Sequence, residues 1–427
     1  MGNEERSDRA ACLQTPFSGL CIGCGICAAA CPAGAISMKR TRAGIAVPQV
    51  DSARCTACGA CASACPHEPV RLRSLAEEVS GRPDPRCAGL DRAEACLGWD
   101  EGGGRRRSAS GGVATALALR LLADGAVAGV LHVKRVMARR GMPHYAATLS
   151  TTAEEIDAGR GSAYEAVEFS SALAQLEPGR RYLVIGTPCF IRGVKRLASV
   201  SPRLKGVRLV TCSLVCSHNV TSRFADFLAD ANGIPSSSAF VLDPRDKTGI
   251  AGASEYNTRF TTDDGTDVVV GRKASGWTHF WRNHYFALRA CCRCADFWGA
   301  EADVSVKDAW GRKEWTDDPL GRSIVILRDP GLRPVLVAAG LRLEPIRIED
   351  VADMQPQETN FKLACARDKF RFAAWRKPNR HNGLFWRMVM AVASEKCYNL
   401  LGFRCSAVLL RMVETLLGRR KPKYVKR

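Results

Sequence analysis

The 427-residue sequence lacks any run of about 18 uninterrupted apolar residues, the length a membrane-crossing helix needs; Arg120 and Asp124 break the best internal stretch. Its opening residues, MGNEERSDRA, have no apolar core of the kind a secretory signal carries. A helix-turn-helix pattern, zinc-finger spacing and the aromatic motifs of RNA binders are missing too. Those absences matter because the net charge is +19, from 62 basic and 43 acidic side chains. The basic residues are scattered, apart from the RRR at 105–107 and the tail GRRKPKYVKR. Nucleic acid is therefore not the expected partner, while anionic lipid, acidic proteins and phosphate-bearing molecules stay open. An apolar fraction of 46% with 25% charged residues argues against disorder, and the length suits about two to three domains.

Cysteine, by contrast, is abundant, at twenty residues. Disulfide scaffolds are short and secreted. Clustered cysteines in a long chain without a signal point instead to metal binding in a reducing, cytoplasmic compartment. Eight of the twenty fall in two copies of one pattern, CIGCGICAAACP from Cys21 and CTACGACASACP from Cys55. Each reads C-x2-C-x2-C-x3-C-P, the run in which the fourth cysteine serves the other 4Fe–4S cluster. Cys21, Cys24, Cys27 and Cys65 are thus expected at one cluster, and Cys55, Cys58, Cys61 and Cys31 at the second. Three thiolates on so tight a loop need small residues and sharp turns, supplied by Gly23, Gly25, Gly59 and the alanines. Pro32 and Pro66 then direct the chain away. Zinc takes four ligands, commonly as two separated pairs, and fits two tandem fours poorly. With all eight positions filled, His67 is expected at the surface. The reading is a ferredoxin-like α+β 2x(4Fe–4S) module over 16–75. A linker rich in Gly, Pro and charge is expected over 76–105, with Cys87 and Cys96 as ordinary thiols.

Beyond it the chain alternates. SASGGVATALALRLLADG reads as a helix that Gly125 can end, VAGVLHV as a strand, and RYLVIG and VRLVTCSLVC as two more buried strands. This is an α/β pattern of a sheet covered by helices. Ser110, Gly111 and Gly112, ahead of the helix, either cap it or aim backbone N–H groups at a phosphate. A third cysteine set also emerges. Cys189 and Cys216 follow two of the strands, and Cys291 and Cys294 form a C-x2-C pair. Strand ends on one edge of such a sheet lie close together, where ligands bind, so four thiolates can converge there. Cys212 and Cys292 compete for the same places.

The strings SASGGVATAL, RGSAYEAVEFSSAL, GTPCFIRGVKRL, LVCSHNVTS, DPRDKTG and CCRCADFWGAEADVSVKDAWG, in that order, resemble the coenzyme F-420 hydrogenase/dehydrogenase beta-subunit family over roughly 105–345. The resemblance implies an α/β catalytic body in two parts, 106–180 and 181–345. It implies an FAD and a third 4Fe–4S cluster at Cys189, Cys216, Cys291 and Cys294, with coenzyme F-420 as co-substrate. Ser110, Gly111, Gly112, Arg160, Gly161, Ser162, Tyr164, Thr187 and Pro188 match segments of the flavin neighbourhood. Three departures bear on the substrate: Ala163 stands where the family carries lysine, Cys216-Ser217-His218 replaces a Cys-His-Gly, and Lys307-Asp308 replaces a Gly-Asp before Trp310.

The implied function is an iron–sulfur flavoprotein oxidoreductase passing electrons between reduced F-420 or ferredoxin and an acceptor, with a redox partner protein or a small molecule receiving them. Its ferredoxin module is expected to move as part of that wire. The alternative is an electron-transfer adapter without its own substrate, serving a partner enzyme, for example in polysaccharide biosynthesis. A third reading, clusters as structural elements of a regulatory or nucleic-acid-binding protein, has least support. His218 is either a proton donor near a ligand or a core histidine. Arg245, Asp246 and Lys247 form either an anion clamp or a charged loop. The tail over 375–427 reads as helical and basic, docked on the body or lying peripherally at the inner face of the membrane. Cys365, Cys397 and Cys405 read as plain thiols.

Overall fold

The computed structural model describes residues 20–366, apart from 251, 283 and 355, together with residues 425–426. The two cysteine cassettes fold as copies of each other. Helix α1 (Ile26–Ala30) follows Gly25, and α2 (Ala60–Ala64) follows Gly59; both glycines sit at φ +75°. At that φ a side chain is strained, so glycine is what lets three cysteines crowd one loop. Cys31 N–H donates to the Ala28 carbonyl and Cys65 N–H to the Ala62 carbonyl, both at 3.2 Å. Between the copies, β1 (Ile36–Arg40) and β2 (Ala46–Val50) form an antiparallel hairpin.

The expected linker is corrected by two elements. Helix α3 (Pro69–Ser80) occupies its start, and β3 (Glu94–Asp100) is a buried strand. The flanking Gly, Pro and charge mask a seven-residue strand whose interior is continuously buried, and Cys96 is part of the core. Gly98 there is a packing residue, since a Cβ would lie 2.7 Å from Val325 Cγ2 and 3.1 Å from Leu343 Cδ2.

The body is built on an eight-stranded sheet in the order β13-β3-β12-β11-β7-β6-β4-β5. The strands are β4 (Gly129–Arg135), β5 (Tyr145–Ser150), β6 (Arg181–Gly186), β7 (Arg208–Leu214), β11 (Val304–Asp308), β12 (Ser323–Leu327) and β13 (Leu341–Pro345). Strands β4, β6, β7 and β11 run parallel, and the outer pairings are antiparallel. Because side chains alternate along a strand, neighbours serve opposite faces. Val130 and Leu183 pack beneath α4 (Val113–Ala123), while Leu131 and Val184 pack beneath α5 (Pro188–Val200). A second sheet carries β8 (Phe240–Asp246), β9 (Asn257–Thr262), β10 (Asp267–Gly271) and the short β14 (Val425–Lys426). Its aromatic core joins Phe240 and Phe260 to Phe224, Trp277 and Phe280. The tail expected as a helix lies outside the described residues except for β14.

The ferredoxin module is docked. Ile26 is 0% exposed and packs with Phe169, Leu173, Phe190, Ile191 and Val194 of the body. Phe169 N–H donates to the Cys24 carbonyl at 3.1 Å. Burying a side chain of that size stabilises the contact by about 1.5–3 kcal/mol, so the freely moving module expected from the sequence is replaced by a packed one. Helix α6 (Pro356–Ala366) then closes over the Arg289–Arg293 turn and packs on α3.

Candidate functional site

The four parallel strands, β4, β6, β7 and β11, end at one edge of the sheet, where ligands bind in such folds. Residues Thr187–Cys189 leave β6 there, Val215–Cys216 leave β7, and Asp308–Trp310 leave β11. Strand β3 reaches the same edge because it is antiparallel to β12, itself antiparallel to β11. Residues 101–112, which follow β3, therefore arrive at the site as well. Two adjoining cavities open at this edge.

The smaller cavity, about 150 Å³, is walled by Cys189, Cys216, Cys291 and Cys294 and also reaches Cys24 of the first cassette. All four of those body cysteines face one another closely enough to repel as thiolates. Burial, with that repulsion added, pushes the Cys189 and Cys291 thiols up to about 12 and Cys216 well above the usual range. Asn219 N–H donates to Cys291 Sγ at 3.3 Å, and Thr187 Oγ1 lies 3.4 Å from Cys189 Sγ. Such a set, four thiols with cations beside them, fits a group that binds thiolates and releases their protons, as an iron–sulfur cluster does. No group of three or more His, Cys, Asp or Glu among the described residues is gathered for a single metal ion. Of the two competing cysteines, Cys212 is buried in the core beneath α4, and Cys292 packs on Phe361 and Cys365 away from the cavity wall.

In the ferredoxin module Cys24 and Cys27 both face Cys65, Cys27 also faces Cys61, and Cys61 faces Cys31 and Cys58. Amide donors reach the sulfurs, among them Gly23 N–H to Cys21 Sγ at 3.3 Å and Ala35 N–H to Cys31 Sγ at 3.2 Å. Cys58 alone of the eight is exposed.

His67 is not at the surface. It is 2% exposed, lines the smaller cavity, and neither ring nitrogen has a hydrogen-bond partner. Burial, then Arg192 and Lys362, holds its ring neutral, down to about 3. Cys65-Pro66 directs the chain into the body, where Pro66 packs against Gly193 of α5. The sequence carries no signal of this, because the docking partner lies over a hundred residues away.

The larger cavity, about 500 Å³, takes Ser110, Gly112, Gly161, Ser162, Tyr164 and Thr187 into its lining. Pro188 lines the smaller one. The N-terminus of α4 opens into the larger cavity at Val113–Thr115, and no side chain caps it, which leaves N–H donors for an anion. Tyr164 meets Trp277 and Trp281 edge-on, at 5.1 and 4.8 Å between centroids. His218, buried, lies against Trp281 at 4.1 Å, and its Nε2 has no hydrogen-bond partner. Two expected residues do not face the space. Gly111 packs against the sheet, with its N–H donating to Ser323 Oγ at 3.1 Å and a Cβ there meeting Ser323 N at 2.8 Å. Arg160 turns away to Asp157 and to Ser108 Oγ at 3.0 Å, bracing the 104–108 turn.

The RDK stretch is spent on structure rather than left as an anion clamp. Arg245 donates to both oxygens of Asp308 at 2.8 and 3.2 Å and to the Ala109 carbonyl at 3.0 Å. Lys247 Nζ donates to the carbonyls of Arg105, Ser110 and Leu320. Asp246 pairs with Arg259. Asp308, one of the departures noted above, is thus the anchor that fixes Arg245 and the loop before α4. Lys307 beside it, lowered to about 8 chiefly by burial, lines the larger cavity.

Sequence models for the coenzyme F-420 hydrogenase/dehydrogenase beta subunit match this chain, the N-terminal model over 100–174 and the C-terminal model over 179–344. The chain belongs to this family. A 4Fe–4S dicluster domain model matches residues 20–68, ahead of the family body. The chain is therefore an iron–sulfur electron-transfer protein of a redox family. A chain of the F-420-reducing NiFe hydrogenase complex from Methanosarcina barkeri is similar at 17% identity and TM-score 0.46, over 65% of this chain and 90% of that one. No curated protein matches. No helix among the described residues is long and apolar enough to cross a membrane.

Proposed function

We propose that this family member is an iron–sulfur flavoprotein oxidoreductase, with FAD in the larger cavity and a third 4Fe–4S cluster on Cys189, Cys216, Cys291 and Cys294. The observation that carries this reading is that the two cavities share a wall: Thr187, Leu214, Cys216 and Asn219 line both. Bound there, a flavin would exchange the two-electron hydride of reduced F-420 for the single electrons that clusters carry. The residues divide that work. The uncapped N-terminus of α4 receives a phosphate, while Tyr164, Trp277 and Trp281 exclude water and pack a planar ring system. Asp308 and Arg245 hold the Ser110 loop in place. Cys24, at the far side of the smaller cavity, leads to the first cassette, and exposed Cys58 gives the second cassette a surface exit.

The test is anaerobic titration of the purified protein with reduced F-420, following flavin and cluster absorbance. Stoichiometric bleaching of both establishes the reading. If only ferredoxin or dithionite bleaches them, F-420 is not the donor, and ferredoxin takes its place. The exposure of Cys58 favours a protein partner at that end, so an adapter serving a second enzyme is the alternative; co-purification of a stoichiometric partner and no turnover by the isolated chain would establish it.

A further inference from the structure

Two cations face the body cysteines, and they differ in how they are held. Arg192 is paired with Asp296 at 2.6 Å and with Glu301 at 2.9 Å, so its charge is met locally. Lys362, on α6, is 3% exposed and lines the smaller cavity. Among the described residues it has no carboxylate partner and no hydrogen-bond acceptor; the thiols that face it are Cys294, Cys216, Cys291 and Cys365, with the rings of His67, His218, His284 and Phe361 also near. It also lies beyond the residues 179–344 that the family model matches.

A buried ammonium without an anion costs several kcal/mol, so the cavity it faces must supply negative charge. A cluster on four thiolates is such an anion, and it gains one further negative charge when one electron enters. A fixed cation beside it stabilises the reduced form more than the oxidised form.

We propose that Lys362 is the counter-charge of the Cys189, Cys216, Cys291 and Cys294 site and raises its affinity for an electron. The proposal rests on the reading that those four cysteines hold a cluster. Lys362 keeps its proton throughout, and no bond is made or broken; with both groups bound, an electron would enter from the larger-cavity side and leave towards Cys24. Its role is positional and electrostatic. By holding the site nearest the larger cavity at a higher potential, it favours departure of the first electron from the two-electron donor.

The experiment compares Lys362→Met, which keeps bulk and removes charge, with Lys362→Arg, which keeps charge. An anaerobic redox titration of the holoprotein is followed by electron paramagnetic resonance, with the two cassette clusters as internal references. Lys362→Met is expected to lower the potential of one cluster by at least a tenfold change in its reduced-to-oxidised ratio, about 59 mV for one electron. The cassette signals stay in place, and Lys362→Arg stays near the parent. A variant that loads only in the Arg form also supports the charge role. Lys362→Met with full iron and an unchanged potential overturns the proposal, as does loss of the cluster from both variants, which marks a packing role. Parent protein carrying only about eight irons, enough for two clusters, would instead overturn the underlying assignment of the four cysteines.

Discussion

Gly25 and Gly59 hold the same place in the two cassettes and the same φ of +75°, yet their surroundings are opposite. A Cβ on Gly25 would strike the Glu168 carboxylate and lie 2.8 Å from the Ser170 nitrogen, whereas a Cβ on Gly59 would meet nothing within 4 Å. The Gly25 turn is pressed against the body and the Gly59 turn faces outward, although the second cassette also meets the body further on, through Ala64 and Pro66.

Both glycine-to-alanine changes carry the left-handed backbone penalty of about 1–2 kcal/mol. Gly25→Ala must also displace the 168–170 segment, so its loss of thermal stability is expected to be at least twice that of Gly59→Ala. Thermal unfolding with iron analysis reads both; equal losses would show that the first cassette is not docked.

Cys216→Ser should remove one cluster, about four irons per chain, whereas Cys212→Ser, in the core beneath α4, should leave iron content unchanged. Iron and sulfide analysis distinguishes them. Equal iron in both variants would refute the assignment of Cys216.

Asp308→Asn takes away the carboxylate that meets Arg245, which is buried with 2% of its side chain exposed. Breaking such a pair costs on the order of 3 kcal/mol. Because Arg245 also holds the Ala109 carbonyl, flavin retention should fall with stability. Denaturant unfolding and flavin release report the two effects. Unchanged retention would separate the loop from the cavity.

Glu165 supplies a pH dependence. Burial, helped by Asp226, raises its carboxyl from 4.5 to about 8, against the opposing His144 N–H and Arg40. The folded chain thus holds this proton more tightly than the unfolded one. Its stabilisation is complete below about pH 4.5 and is lost as pH rises towards 8. Glu165→Gln should therefore match the parent near pH 4.5 and exceed it at pH 8 by at least about 1.4 kcal/mol, the worth of one pKa unit. Melting curves across that range check the sign; a variant less stable than the parent at pH 8 would reverse it.

Much of the site was legible because its signals are local. Cassette spacing, the strand before Cys189, the strand before Cys216 and the helix after Gly112 all lie within a dozen residues of the chemistry they carry. The remainder depends on distant partners. His67 is carried into the body where Pro66, the residue before it, packs against Gly193 of α5. The charge of Lys362 has meaning only beside cysteines more than sixty residues away in sequence. Gly111 and Arg160 share motifs with cavity residues but spend their contacts on Ser323 and Asp157, a division that motif matching does not see.

Strand β3 carries a consequence for dissection of this protein. It pairs with β12 on one side and β13 on the other, and it ends where the family-matched body begins. A fragment cut to begin at residue 106 would leave two strands flanking an empty lane, each with an unpaired edge open to a second chain. The boundary drawn by sequence likeness is thus not a boundary of folding, and the separable piece of this molecule starts no later than Glu94.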